Sequence, residues 1–181
     1  MIDLNHKTMK TPTLIALLFT LLFLSCTDET TTGTNNSLGI IEALIDGNLI
    51  TNSTTPASID IDSTRSALFV VGLETEISPG SPTLSISISY PNGEPLEEGQ
   101  YIFDDFDSLA QLEGVFAALF YNTGVSLFSA PIGEGRLELN IESLDLRSGG
   151  HIEGTFSGTL IDDETDELIS VENGLFNSTI I

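Results

Sequence analysis

Three kinds of residue in this 181-residue chain could do chemistry. They are a single cysteine, Cys26; two histidines, His6 and His151; and carboxylates that gather at Asp104, Asp105 and Asp107 and again at Asp162, Asp163, Glu164 and Asp166. One cysteine forms no intramolecular disulfide. With the histidines so far apart in the chain, no zinc site of the common Cys/His type assembles from them either. The two acidic clusters offer the hard oxygen ligands that calcium takes, but neither has the alternating ligands and central glycine of an EF-hand loop. They are read as solvated loops, and neither a metal nor a cofactor is assigned. Glycoside hydrolysis needs two carboxyls about 5 to 9 Å apart across a cleft. Among 27 acidic residues chance pairs are everywhere, and the chain has no Trp to build an aromatic sugar platform. His151 follows Gly149 and Gly150 with no nucleophile suggested by spacing, and the Gly133–Arg136 stretch (GEGR) lacks the length and the lysine of a phosphate loop. No catalytic residue is assigned, and the chain is expected not to be an enzyme.

The charge balance narrows the partners. The formal net charge is −22, and of the 27 acidic residues only Asp3 precedes Cys26. Both lysines, Lys7 and Lys10, precede it, so Arg65, Arg136 and Arg147 are the only side-chain cations other than histidine beyond that point. Nucleic acids and anionic membrane surfaces are bound by clustered Lys and Arg that replace their counterions. Nucleic acid is therefore excluded as a partner, and a lysine Schiff base is excluded beyond Lys10.

The N-terminal segment is the one place where a chemical role attaches to a residue. Leu14 to Leu24 (LIALLFTLLFL) is an uncharged run after a basic start, and the small Ser25 precedes Cys26. That is the layout of a secretory signal peptide over residues 1–25, and the run is shorter than the roughly 20 residues a spanning helix needs. Phe23-Leu24-Ser25-Cys26 resembles the lipobox of bacterial lipoproteins, with Phe23 where the common pattern has an aliphatic residue. The resemblance implies that Cys26 is the lipid-attachment residue and the first residue of the mature chain. Each buried methylene of such an anchor adds about 0.8 kcal/mol of membrane affinity. Residues 26–37 then carry short polar side chains and read as a flexible tether, since they cannot bury enough surface to offset their ordering entropy. Asp28 and Glu29 resemble the export signal of surface lipoproteins in Bacteroidetes, which implies a lipid-anchored address at the outer membrane of a Gram-negative bacterium, with routing to its outer face.

Residues 38–181 must supply the folded domain, and their apolar pattern has period two. In Thr83 to Tyr90 (TLSISISY), Leu84, Ile86, Ile88 and Tyr90 share one face and three serines the other. Residues 136–141 repeat the pattern, and its phase slips across Glu142 and Ser143, which predicts a bulge or corner. Further strands are expected at 41–45, 48–52, 57–61, 67–74, 100–103, 115–121, 125–129, 151–161, 168–172 and 175–180. Separators such as Asp46-Gly47, Asn122-Thr123-Gly124 and the acidic 162–167 stretch have turn chemistry. A short helix is expected up to about Gly114, from the Ser108/Gln111 capping box. The expected fold is all-β: a single antiparallel β-sandwich, with a barrel as the alternative.

The ordered segments ALIDGNLIT, EEGQYIFDD, GEGRLELNIESLD, HIEGTFSGTLID and VENGLFNSTI resemble the landmarks of uncharacterised Bacteroidetes lipoprotein domains of the DUF6252 and DUF5025 kind. In those domains a DG turn opens the fold and a GTF strand precedes a final G-x-F strand. The resemblance implies an all-β lipoprotein domain and supplies no activity. The expectation is a non-enzymatic interaction module, held to the membrane by its lipid, whose partner is an envelope protein or a glycan. A small-ligand carrier with a barrel of the lipocalin kind is the alternative, and a hydrolase is the third reading.

Overall fold

The computed structural model describes residues 39–61, 64–73, 81–104, 114–131, 134–162 and 164–181. Cys26, the leader, the tether and the short helix expected before Gly114 lie outside them. The described residues form eleven strands and no helix: β1 (Ile40–Ile45), β2 (Asn48–Thr54), β3 (Ser58–Ile61), β4 (Arg65–Leu73), β5 (Thr83–Pro91), β6 (Gly99–Phe103), β7 (Phe116–Asn122), β8 (Leu127–Ala130), β9 (Arg136–Leu144), β10 (His151–Asp162) and β11 (Leu168–Thr179). In β5 the alternation works as read, with Leu84, Ile86, Ile88 and Tyr90 buried and the intervening serines on the other face.

Every ladder is antiparallel, and the strands β11-β1-β2-β4-β5-β7-β8-β10 form a closed circuit because β10 also pairs β11. The result is an eight-stranded barrel, the alternative to the expected sandwich, with β9 and β6 continuing from β10 and β3 added to β4. The sandwich reading survives in its shape. Two of the barrel's joints are only two residue pairs long: Ser53↔Leu73 and Thr54↔Gly72 between β2 and β4, and Ile161↔Ser129 and Asp162↔Phe128 between β8 and β10. These joints act as corners between two broad sheets. One contiguous apolar cluster fills the space between them, including Ile41, Leu68, Leu84, Leu119, Leu139 and Phe176.

The first corner is set by two small devices. A Cβ on Gly72 would come within 2.6 Å of Ile41 Cγ2 and 2.7 Å of the Leu84 carbonyl, so only glycine lets β4 approach there. Beside it Asn52 is buried and bridges to β5, its Nδ2 donating to the Pro82 carbonyl (3.1 Å) and its Oδ1 accepting from the Leu84 N–H (2.9 Å). The side chain substitutes for ladder bonds where the backbone has turned away.

The long ladder between the consecutive strands β10 and β11 is one link of the circuit, and two motifs interlock in it. Gly154-Thr155-Phe156 runs against Gly174-Leu175-Phe176 so that Gly154 faces Phe176 and Phe156 faces Gly174. The two rings lie 6.3 Å apart, tilted by 44°. Each ring lies where its glycine partner has no side chain, and a Cβ on Gly174 would sit 2.5 Å from the Phe156 ring. Sequence reading expects 168–172 and 175–180 as separate strands, whereas β11 is one strand. Asn173, at φ +52°, is an extra residue that both neighbours accommodate: Ser157 alone faces the Glu172-Asn173 pair from β10, and Ala43 alone faces the Asn173-Gly174 pair from β1. A bulge absorbs the Asn-Gly pair that reads as a break. The bulge expected near Glu142 is present, since Glu153 pairs Ser143 while Gly154 pairs Ile141.

Replacing Phe156 by Ala should lower the unfolding free energy by about 3–5 kcal/mol through the cavity it leaves. Gly174→Val should cost about 1–3 kcal/mol by overpacking against that ring. Urea unfolding of the two variants beside the parent protein measures both.

Candidate functional site

The sequence candidates fall out differently in three dimensions. Of the first acidic cluster only Asp104 is described. In the second, the Asp162 side chain is turned inward: its Oδ1 accepts the backbone N–H groups of Glu164 (2.9 Å) and Thr165 (2.8 Å), and the Ser126 hydroxyl adds a further bond. Those donors, the Glu164 N–H first, hold the carboxyl below its ordinary value near 3.8. Asp162 is therefore a turn cap. Among the described residues no group of three or more His, Cys, Asp or Glu side chains could hold a metal ion.

His151 has a neighbour that sequence spacing did not suggest. The Glu142 bulge shifts β9 so that Ser143 Oγ lies 2.8 Å from His151 Nε2, in an exposed pair. A nucleophile–base pair needs a third group to orient the imidazole. Asp145, just past the end of β9, is committed to Arg147, whose Nε (2.8 Å), second guanidinium nitrogen (2.6 Å) and backbone N–H (3.2 Å) all donate to it. These hydrogen bonds bring the Asp145 carboxyl down to about 2.

The other two arginines are engaged as well. Arg65 donates to Ser89 Oγ (2.8 Å), the Ser89 carbonyl (3.0 Å) and the Gly114 carbonyl (2.7 Å), and Arg136 pairs with Glu138 at 2.7 Å.

Two surfaces remain. At one barrel end three turns are latched together. Asp46 and Gly47, both at positive φ, make the tight β1–β2 turn, and Asp46 Oδ1 accepts from the Ser170 N–H (2.7 Å) and hydroxyl (3.2 Å). Asp162 and Ser126 join the β7–β8 and β10–β11 turns in the same way. Burial, with the nearby Asp46 charge adding to it, pushes the Tyr121 phenol up. Three apolar side chains crown this end: Leu49, Val125 and Leu168 are 63%, 92% and 47% exposed. The chain enters at the opposite end, where the Ile40 N–H bonds Asn177 Oδ1 and Ile180 pairs with Gly150.

The second surface is a groove of about 460 Å³ on the outer face of the β6-β9-β10-β11 sheet, over the Asn173 bulge. Gln100, Asn140, Thr155, Ser157, Asn173 and Leu175 line it, together with Glu138, which is paired with Arg136. No family model, curated protein or solved structure matches this chain. What the groove offers chemically is a set of neutral donors and acceptors. Asn140 and Thr155 make only long contacts to Glu142 (3.4 and 3.5 Å), and the side chains of Gln100, Ser157 and Asn173 make no hydrogen bond to any described residue. Sequence reading missed this surface because four strands contribute to it; the Asn173-Gly174 dipeptide was the one local signal.

Asp162 supplies a pH test. Its folded-state pKa is depressed, so its contribution is fully present above the unfolded value near 3.8 and is lost as pH falls through the folded value. Asp162→Ala should be less stable than the parent at pH 7. The difference should shrink as pH is lowered below about 4, measured by thermal unfolding across a pH series.

Proposed function

We propose that this chain is a lipid-anchored protein of the Gram-negative outer membrane whose β domain binds an envelope protein or a glycan and catalyses no reaction. The observation that carries this reading is the run from Leu14 to Cys26: an uncharged stretch, a small residue and then the sole cysteine, in a chain otherwise poor in chemically distinctive side chains. The domain's polarity supports it. Its first strand begins at one end of the barrel, and the latched turns bearing Leu49, Val125 and Leu168 stand at the other. The turns bearing those side chains thus lie at the end of the domain remote from Ile40.

The alternative of an internal ligand carrier draws less support. Apolar side chains in one contiguous cluster occupy the interior, and the concavity described above lies outside it. A hydrolase draws less still, because Ser143 and His151 are exposed and Asp145 is held by Arg147.

In a Gram-negative host, Cys26→Ala should move the protein out of the membrane fraction, and globomycin should cause the unprocessed precursor to accumulate. Unchanged fractionation and processing would overturn the anchor.

A further inference from the structure

We propose that the groove over the Asn173 bulge is a binding site for a neutral polyhydroxylated ligand, a saccharide segment a few residues long. This rests on the reading of the domain as a binding module and names the ligand class of one of its surfaces. The volume, about 460 Å³, falls within the roughly 300–1,000 Å³ of small-molecule sites.

The lining selects the chemistry. Carboxamides present a donor and an acceptor side by side, and hydroxyls do both from one atom. Gln100, Asn140 and Asn173 supply amides from three strands, and Thr155 and Ser157 supply hydroxyls from a fourth. A vicinal diol, which donates and accepts from adjacent oxygens, is the complementary group.

Other ligand classes fit less well. Anions meet a chain of net charge −22 whose three arginines beyond Cys26 already bond Ser89, Glu138 and Asp145. A cation would have to compete with Arg136 for Glu138, the one carboxylate on the lining. An apolar ligand would find chiefly half-buried Leu175, because the ring of Phe156 is buried beneath the sheet. Leu175 suits the C–H face of a sugar ring, and the polar groups around it suit the ring's edge.

The bulge is what puts an amide here. An extra residue in the left-handed region re-aims its side chain out of the regular alternation. Asn tolerates that conformation better than most residues, and Gly tolerates it best. Asn173→Gly therefore removes the amide while leaving the bulge an acceptable backbone.

The test is calorimetric titration of the purified full chain with three neutral hexasaccharides (cello-, xylo- and mannohexaose) and one anionic hexamer of galacturonic acid. The expected result is saturable binding to at least one neutral probe and none to the anionic one. Asn173→Gly should weaken that binding at least tenfold, and Gln100→Ala several-fold, both with an unchanged melting temperature. Failure of all three neutral probes, equal binding of the anionic hexamer, or binding that Asn173→Gly leaves intact would each overturn the proposal. The last outcome would leave the domain a binding module with its site elsewhere. The anchor is read separately, by fractionation of Cys26→Ala.

Discussion

The reciprocal contact of Gly154 with Phe176 and of Phe156 with Gly174 is the constraint on which the rest of the barrel depends. β10 and β11 follow one another in the chain, the rest of the circuit inherits their register, and a slip of one residue turns every side chain to the wrong face. Two rings set into two glycine gaps, in opposite directions on adjacent strands, accept one register alone. β10 then carries the consequences outward, since it pairs β11 on one side and β9 and β8 on the other.

An acidic domain with so few cations must place its ordered carboxylates somewhere other than in salt bridges. Here they accept from the backbone. Asp46 takes the Ser170 N–H, Asp162 those of Glu164 and Thr165, and Glu98 that of Leu144 at the start of the β9–β10 connection. Turn residues leave N–H groups without ladder partners, and a charged acceptor makes one of the stronger hydrogen bonds to them. Some of the charge thus serves as turn mortar while the remainder is solvated.

What the sequence disclosed was local. Alternation located β5 and β9, Asp46-Gly47 announced its turn, and the slipped phase at Glu142 marked a real bulge. What it withheld depends on distant partners. Asn173-Gly174 reads as a break until strands on both sides are seen to accommodate it. The barrel closes through corners whose cause, the fit of Gly72 against Ile41 and the reach of Asn52 to Pro82 and Leu84, joins residues far apart in the chain. The groove was illegible for the same reason, being assembled from single outward residues of four strands, none unusual by itself.

The position of β1 also has a mechanical meaning. The strand lies between β11 and β2, paired to both along nearly its whole length, and the preceding chain leaves from its first residue. Antiparallel ladder bonds run perpendicular to the strands. A pull at Ile40 along the strand axis runs across these bonds, so that both ladders share the force at once and neither is opened pair by pair. Loaded from that residue, the sheet resists in shear across two ladders and is not peeled apart strand by strand.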